Sequence, residues 1–518
     1  MASDTHTTQK RAGNDQSKRR LNNAVRSYRT SHERVIVDEL ISFLSIPNIE
    51  TDRAEMRRNA SHLQQMLEQR GVSVRLFDTE TNPLVWGELK VPGATQTLTF
   101  YSHYDGVPVE PADWIDSHPY QPVMRPSKLD PATREPKPEP LPAPGIPFDK
   151  EARIYARSAS DDKGPIIAML SALDAILASG IPLRNNLRFV FEGEEESGSK
   201  HFPDFVRKNP ELFVSDAFYI CDGPAYYTGA PTVWFGARGN IFAHVTVYGA
   251  DVVLHAGHFT NFAPNPVQRL SHLLATMTDP DDRVNLPGFY DIIDPLSDVE
   301  MKALASVPRM EADLAHLYGF SGSLKNDVNY VEALQAPGFN VAGFQAGWAG
   351  NDARFVVPAE ATASIMLMPV VGCTPDKMVD NLEAHIIAQG YHVVTEDPTP
   401  AERAQYPLIA KVSTYWSAPA SRTPMNLPIS QRIIDSLTNI SDQDALFIPS
   451  IGSAIGIFSV LRDELGIPTM LVSTVNPDNF QHGPNENLRL RNLWTGIETF
   501  AALMMIESDL PSPLTAPA

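Results

Sequence analysis

Residues 187–199 read Leu-Arg-Phe-Val-Phe-Glu-Gly-Glu-Glu-Glu-Ser-Gly-Ser, an apolar run that passes directly into a cluster of acidic residues. The run Leu187–Phe191 predicts a buried strand. Four glutamates then lie within residues 192–196 and repel one another. A run of charged residues usually marks a solvated face. The end of a buried strand next to two glycines, however, gives no structural reason for four glutamates. Divalent cations would offset the repulsion, so the stretch favours a metal site at the end of a strand.

Acidic residues and histidines follow other predicted elements in the same way. The apolar runs 98–101 and 217–221 precede two of them, and a helix predicted from Pro165 follows a third. The four motifs are His103-Tyr104-Asp105, Asp161-Asp162-Lys163-Gly164, Asp222, and His482-Gly483-Pro484-Asn485-Glu486. Taken singly, each is ordinary, for example as a helix-capping cluster or a surface residue. Together they predict nitrogen and carboxylate ligands at the carboxyl edge of a sheet, which suits zinc, with manganese or cobalt as substitutes.

Alternating helix and strand patterns predict an α/β fold, with a mixed sheet flanked by helices and an inserted α+β lid domain. The order of predicted helices and strands changes near residue 239, where a second set of strands and helices begins. The first α/β pattern resumes near residue 406. The predicted divisions are a disordered tail at 1–30, a catalytic domain split between 31–237 and 399–518, and a lid at 238–398.

Composition narrows the class of protein. Of 518 residues, 42 are Lys or Arg and 62 are Asp or Glu, which gives a net charge of −20. The acidic balance argues against nucleic acid and anionic membranes as partners. Two cysteines exclude a disulfide framework. The first thirty residues contain basic residues without an apolar run, so we expect a cytoplasmic protein, although a secretion signal removed earlier would leave no trace.

In this order, the five motifs resemble those of the dinuclear zinc metallopeptidase and amidohydrolase family. That family includes carnosine dipeptidases, aminoacylase-1, folate-cleaving glutamate carboxypeptidase, acetylornithine deacetylase and succinyl-diaminopimelate desuccinylase. The resemblance spans about residues 31–508 and implies two Zn²⁺ per chain. The implied ligands are Asp161 for both ions, His103 and Asp222 for one ion, and Glu196 and His482 for the other. It also implies that Glu195 is the general base and that Asp105 orients His103.

The insert resembles the family's lid and dimerisation domain. The matching stretches are Gly236-Ala237-Arg238-Gly239, His255-Ala256-Gly257-His258 and Pro264-Asn265-Pro266. The resemblance implies a homodimer in which His255 of one subunit stabilises the oxyanion in the other subunit's site. A lid-surface histidine is the alternative reading of His255. Asn265 is a further candidate substrate contact.

One position departs from the family pattern. Met368 stands where the family commonly has an arginine that grips the substrate carboxylate, and a thioether makes no bidentate contact of that kind. Arg238 or Arg354 is therefore a candidate to supply the charge. Ser453, in the turn Gly452-Ser453-Ala454-Ile455, is either a substrate contact or a plain helix cap.

These observations predict zinc-dependent hydrolysis of a peptide or peptide-like amide bond, of the dipeptidase or carboxypeptidase type. The substrate would be a small peptide or an N-acyl amino acid. The closest alternative is an N-acyl amino acid amidohydrolase, which differs only in what flanks the amide. A remote alternative is an inactive, metal-free scaffold.

Overall fold

The computed structural model describes residues 2–322, 328–438, 444–453 and 456–507, with side chains from residue 16 onward. The helices are α1 (Ala2–Leu44), α2 (Arg53–Glu68), α3 (Lys163–Ser179), α4 (Phe202–Lys208), α5 (Ala256–Phe259), α6 (Pro266–Thr276), α7 (Asp298–Ala305), α8 (Glu311–Tyr318), α9 (Tyr330–Ala333), α10 (Pro375–Ala388), α11 (Pro400–Gln405), α12 (Pro428–Leu437), α13 (Gly456–Ser459) and α14 (Leu490–Met504). The strands are β1 (Ser73–Phe77), β2 (Leu84–Leu89), β3 (Thr97–His103), β4 (Val123–Arg125), β5 (Arg153–Tyr155), β6 (Asn186–Glu192), β7 (Ala217–Ile220), β8 (Thr232–Trp234), β9 (Gly236–Ala237), β10 (Asn240–Tyr248), β11 (Leu254–His255), β12 (Gly338–Gln345), β13 (Val356–Val357), β14 (Glu360–Met368), β15 (His392–Val394), β16 (Ile409–Ala418), β17 (Ser421–Arg422), β18 (Leu446–Ile448), β19 (Thr469–Ser473) and β20 (Asn487–Arg489).

The main sheet is mixed, with the strand order β1-β2-β6-β3-β7-β19-β8-β18. Strand β3 runs parallel to both β6 and β7, and β19 runs parallel to β7. These parallel strands therefore end at the same edge of the sheet. The α/β class predicted from the sequence is confirmed.

Both faces of the main sheet are buried, which explains why its central strands read as continuous apolar runs. In β6, Leu187, Phe189 and Phe191 pack into the core cluster that α1, α3 and α14 cover. Val190 points the other way, into a second cluster beneath α4. The alternation follows from the period of two along a strand.

A second sheet of five strands lies largely within the region predicted as the lid, in the order β12-β14-β10-β16-β15, and is called the lid sheet below. Helices α6 and α10 cover one of its faces. Its strand β16 runs to Ala418, beyond the boundary predicted at 398. Leu304, Val307 and Val331, which the prediction placed in the lid, pack against the main sheet instead. These differences arise because apolar alternation shows that a residue is buried but not against which sheet it packs.

Residues 2–30, which the sequence analysis predicts as a disordered tail, lie in a helix in the structure. Helix α1 covers Ala2–Leu44, and Leu21 and Val25 are buried in the main core. Arg26 donates from Nε and from Nη2 to the two carboxylate oxygens of Glu498, each at 3.0 Å. The polar composition conceals a narrow apolar stripe, which tertiary packing stabilises. In the described part of the chain, no helix has both the length and the apolar character needed to cross a membrane.

The packing of α1 gives a testable expectation. Val25→Asp places an unpaired carboxylate in the core and should lower the free energy of unfolding by about 3 kcal/mol, measured by chemical denaturation. Val35→Asp is the matched control, since Val35 is 62% exposed on the same helix. Equal effects of the two substitutions would contradict the packing of this segment.

Candidate metal centre

The carboxyl edge of the main sheet brings together residues that are distant in sequence. His103 is the last residue of β3, and Asp222 follows β7 by two residues. Glu195 and Glu196 lie in a short turn, Glu195–Ser197, just after β6. Asp161 precedes α3, and His482 lies in the loop before β20. All five predicted ligands therefore meet at the predicted edge.

The ligand atoms form two groups that share one carboxylate. His103, Asp161 and Asp222 form one group, and Asp161, Glu196 and His482 form the other, with the atoms of each group lying within 4.8 Å of one another. His103 Nε2 lies 2.9 Å from Asp161 Oδ1. His482 Nε2 lies 3.0 Å from Asp161 Oδ2 and 3.1 Å from Glu196 Oε2. The two oxygens of Asp161 thus face different groups.

The site concentrates negative charge in a buried place. Burial and the nearby Asp161 raise the pKa of Asp222 to about 6. Burial also raises the pKa of Glu195, and Asp222 and Asp161 raise it further. Burial alone would lower the pKa of His103, but Asp105 and Asp161 raise it well above its usual value. Hydrogen bonds to Asp161 and Glu196 raise the pKa of His482 to about 10.

The donor set fits two divalent cations. Carboxylates outnumber imidazoles in the two groups, and nitrogen and oxygen donors without thiolate suit zinc, manganese or cobalt. The adjacent Lys163 does not neutralise them, because its ammonium donates to the carbonyls of Phe43 and Ile46 at 3.0 and 2.8 Å. Positive charge supplied by metal would balance the cluster.

Asp105 connects the two halves of the site. Its Oδ1 lies 3.4 Å from His103 Nδ1 and accepts the backbone N–H of Glu195 at 3.2 Å. Its Oδ2 accepts the backbone N–H of Glu196 at 3.1 Å. One fully buried carboxylate therefore contacts a histidine ligand and fixes the turn that presents the two glutamates.

Glu486 and Arg157 form a second support, to which the sequence analysis gave no role. Glu486 is fully buried and accepts from Arg157 Nη1 at 2.7 Å and from the backbone N–H groups of Ser158, Ser160 and Asp161 at 3.0 Å each. Arg157 also donates to the carbonyl of His482 at 3.4 Å. The pair therefore joins the loop of Asp161 to the loop of His482. Glu486 belongs to the His-Gly-Pro-Asn-Glu motif, which was the available signal.

The lid residues named from the sequence lie apart from these groups. His255 is exposed, accepts the N–H of Gly257 at 3.1 Å and lies against His258. Asn265 caps α6 by accepting the N–H groups of Val267 and Gln268. In the described part of this single chain, neither residue belongs to a ligand group. For Asn265, the cap is the role that the contacts within this chain show.

The candidate substrate contacts lie in different places. Arg238 donates to the carbonyls of Gly452 and Ala336 at 3.2 and 3.3 Å. Ser453 accepts from Asn240 at 2.8 Å, while Ala454 and Ile455 of its turn lie outside the described residues. The guanidinium of Arg354 lies over the ring of Trp348, 4.2 Å from its centroid. A Cβ on Gly338 would lie 3.2 Å from Met368 Sδ and 3.3 Å from Arg238 Nη1, so the two side chains flank that glycine.

Comparison with known proteins yields relatives over nearly the whole chain. The Cys-Gly metallodipeptidase DUG1 of Candida albicans is 25% identical over 433 residues, 82% of this chain and 81% of its own length. The Beta-Ala-His dipeptidase of Rattus norvegicus is 23% identical over 446 residues, 85% of this chain and 82% of its own.

Solved structures show the same fold. The M20 family metallo-carboxypeptidase Sso-CP2 from Sulfolobus solfataricus superposes with a TM-score of 0.70 at 24% identity, covering 91% of this chain and 98% of its own. The di-peptidase Dug1p from Saccharomyces cerevisiae has a TM-score of 0.69 at 20% identity, covering 94% and 98%.

The family assignment rests on a match to well over half of the sequence. The sequence model of peptidase family M20/M25/M40 matches residues 134–506, which include Asp161, Glu195, Glu196, Asp222 and His482. His103 lies before the matched region but joins the same ligand group in the structure. The chain belongs to peptidase family M20/M25/M40.

Proposed function

We propose that the protein is a metal-dependent dipeptidase that holds two metal ions, most simply Zn²⁺, at the carboxyl edge of its main sheet. The observation that carries the proposal is that Asp161 faces two ligand groups at once, with the half-buried Glu195 directly before Glu196 of one group. The names of the relatives, metallodipeptidases for Cys-Gly and for β-Ala-His, support a small peptide as substrate.

The chain's own residues supply the proton transfers. When bound, divalent cations polarise an amide carbonyl and make water more acidic. Glu195 takes the proton from the attacking water and returns it to the leaving amine, in the role of a general base and then a general acid. Asp105 accepts the backbone N–H of Glu195 and lies beside His103, so it fixes the position of the base relative to this ligand.

We also propose that the protein acts as a homodimer through its lid. His255 is exposed and belongs to neither ligand group of its own chain, which suits a role in the site of a second copy. Phe355, which lies against His255, is 71% exposed, so a second copy that approached His255 would also cover a large apolar side chain. In the second copy's site, an imidazole would stabilise the developing oxyanion.

Metal content and substrate range test the proposal together. We expect about two metal ions per chain by elemental analysis, and hydrolysis of Cys-Gly, β-Ala-His and Ala-Gly that a chelator abolishes and added Zn²⁺ restores. N-acetyl amino acids should react at least tenfold more slowly. Hydrolysis of the N-acetyl compounds alone would instead favour the amidohydrolase. A chain that binds no metal and cleaves none of these amides would contradict the proposal.

The base can be separated from the ligands by paired variants. Glu195→Gln should lower kcat by at least about 100-fold, because the proton acceptor is lost, while both metal ions remain bound. Glu196→Gln is the matched variant one residue away, and it should lose metal from the group that contains His482. Steady-state kinetics and metal content measured on the same preparations distinguish the two roles. Full activity in Glu195→Gln would contradict the assignment of the base.

The buried Glu486–Arg157 pair generates a further expectation. Glu486→Gln should weaken metal binding by about 10- to 100-fold, because it loosens the loops that present Asp161 and His482. Titration of the metal-free protein with Zn²⁺ measures the change. Glu464→Gln is the matched control, since Glu464 pairs with Arg207 at the surface and such pairs contribute little. Unchanged affinity in a folded Glu486→Gln variant would show that the pair does not position the ligands.

A further inference from the structure

A groove of about 610 Å³ opens at the carboxyl edge of the main sheet, beside the loops that carry two of the ligands. Its walls include Pro224, Tyr227, Leu317, Tyr318, Phe480 and Gln481. The volume lies within the range of pockets that bind small molecules, about 300–1,000 Å³. Nothing in the proposed chemistry uses this groove.

The groove begins within reach of both ligand groups. Pro224 follows Asp222 by two residues, so their Cα atoms are at most about 7.6 Å apart. Gln481 directly precedes His482, at about 3.8 Å. Asp222 and His482 belong to different groups that share Asp161. An amide held at the ligand groups would therefore have a neighbouring residue close to the groove, because one extended residue spans about 3.5 Å.

One wall of the groove is apolar and aromatic. On α8, Leu317 is 55% exposed and Tyr318 is 61% exposed, while Leu314 between them and the core is buried. Tyr227 and Phe480 bring two more aromatic rings to the groove. Large apolar side chains grouped at a concave surface are typical of binding sites.

The basic side chains of the groove already have partners. Lys128 Nζ lies 3.4 Å from Asp478 Oδ2. Arg489 Nε donates to Asn492 at 2.8 Å, and its Nη1 lies 3.5 Å from Glu151. The exposed carboxylate of Asp313 also lines the groove and favours the ammonium end of a peptide over its carboxylate end.

We propose that this groove binds the side chain of the substrate's N-terminal residue and selects bulky apolar or aromatic side chains. The inference rests on the proposed dipeptidase function, and it adds the class of substrate. The carboxylate end of the peptide would lie away from the groove, where Arg238 contacts Gly452. A small N-terminal side chain would leave the groove unfilled.

A series of dipeptides tests the groove directly. In the metal-loaded protein, kcat/KM for Leu-Gly and Phe-Gly should exceed kcat/KM for Ala-Gly by about tenfold, as expected for an apolar pocket that fills. The double variant Leu317→Ser, Tyr318→Ser should reduce that ratio by at least about fivefold. Leu177→Ser is the matched control, because Leu177 is 48% exposed at the end of α3 and does not line the groove. The control should keep both the ratio and the Ala-Gly activity.

The outcomes separate this inference from the proposed function. Hydrolysis of Ala-Gly without preference for larger N-terminal residues would overturn the inference and leave the dipeptidase proposal intact. A preference that persists in a folded double variant would place the selecting surface elsewhere. A preference for Gly-Phe over Gly-Ala, without a preference for Phe-Gly over Ala-Gly, would overturn the inference, because the selected side chain would then be that of the C-terminal residue. No hydrolysis of any member would overturn the proposed function and the inference with it.

Discussion

The carboxylate of Asp161 is the constraint on which the arrangement of the site depends. Its two oxygens face imidazoles from opposite ends of the chain, at 2.9 and 3.0 Å. The buried Asp222 and the half-buried Glu195 and Glu196 add further carboxylates beside it. In a medium of low polarity, such a cluster is stable only when positive charge compensates it. The strands that end at this edge must therefore place their acidic and imidazole side chains so that bound positive charge can neutralise them together.

The fold meets this constraint by using backbone N–H groups and buried carboxylates as supports. Asp105 accepts the N–H groups of Glu195 and Glu196, and Glu486 accepts the N–H of Asp161. Charge-assisted bonds of this kind are among the strongest in proteins, and they fix loops that lack regular secondary structure. Apart from His103 at the end of β3, the candidate ligands thus lie outside the strands, and carboxylates that belong to neither group hold their loops in place. A site of this type needs more acidic residues than its metals bind.

The sequence predicts where the candidate ligand residues lie better than it predicts which sheet each segment joins, for a physical reason. The location of a histidine or aspartate at the end of an apolar run can be predicted, because the carboxyl ends of parallel strands lie at one edge of the sheet. The placement of α1 and β16 depends on which surface covers them, and Val25 or Val412 would look the same against either sheet. Glu486 was quoted within a motif, yet its role needs the loop of Arg157, 329 positions away, to be seen beside it. Long-range contacts of this kind leave no local pattern.

The composition of β14 bears on how the carboxylate of a substrate would be bound, and it points to the junction between the two sheets. Between Glu360 and Met368 this strand contains no lysine or arginine, so the lid sheet offers no cation there, whichever methionine aligns with the family's arginine. Arg238 offers a guanidinium at that end, because it lies beside Met368 across Gly338 and donates to the carbonyls of Gly452 and Ala336. Gly452 follows β18 of the main sheet, whereas Ala336 leads into β12 of the lid sheet. An anionic end of a substrate bound there would contact both parts of the molecule at once, and any movement of the lid would change the position of that charge relative to Asp161.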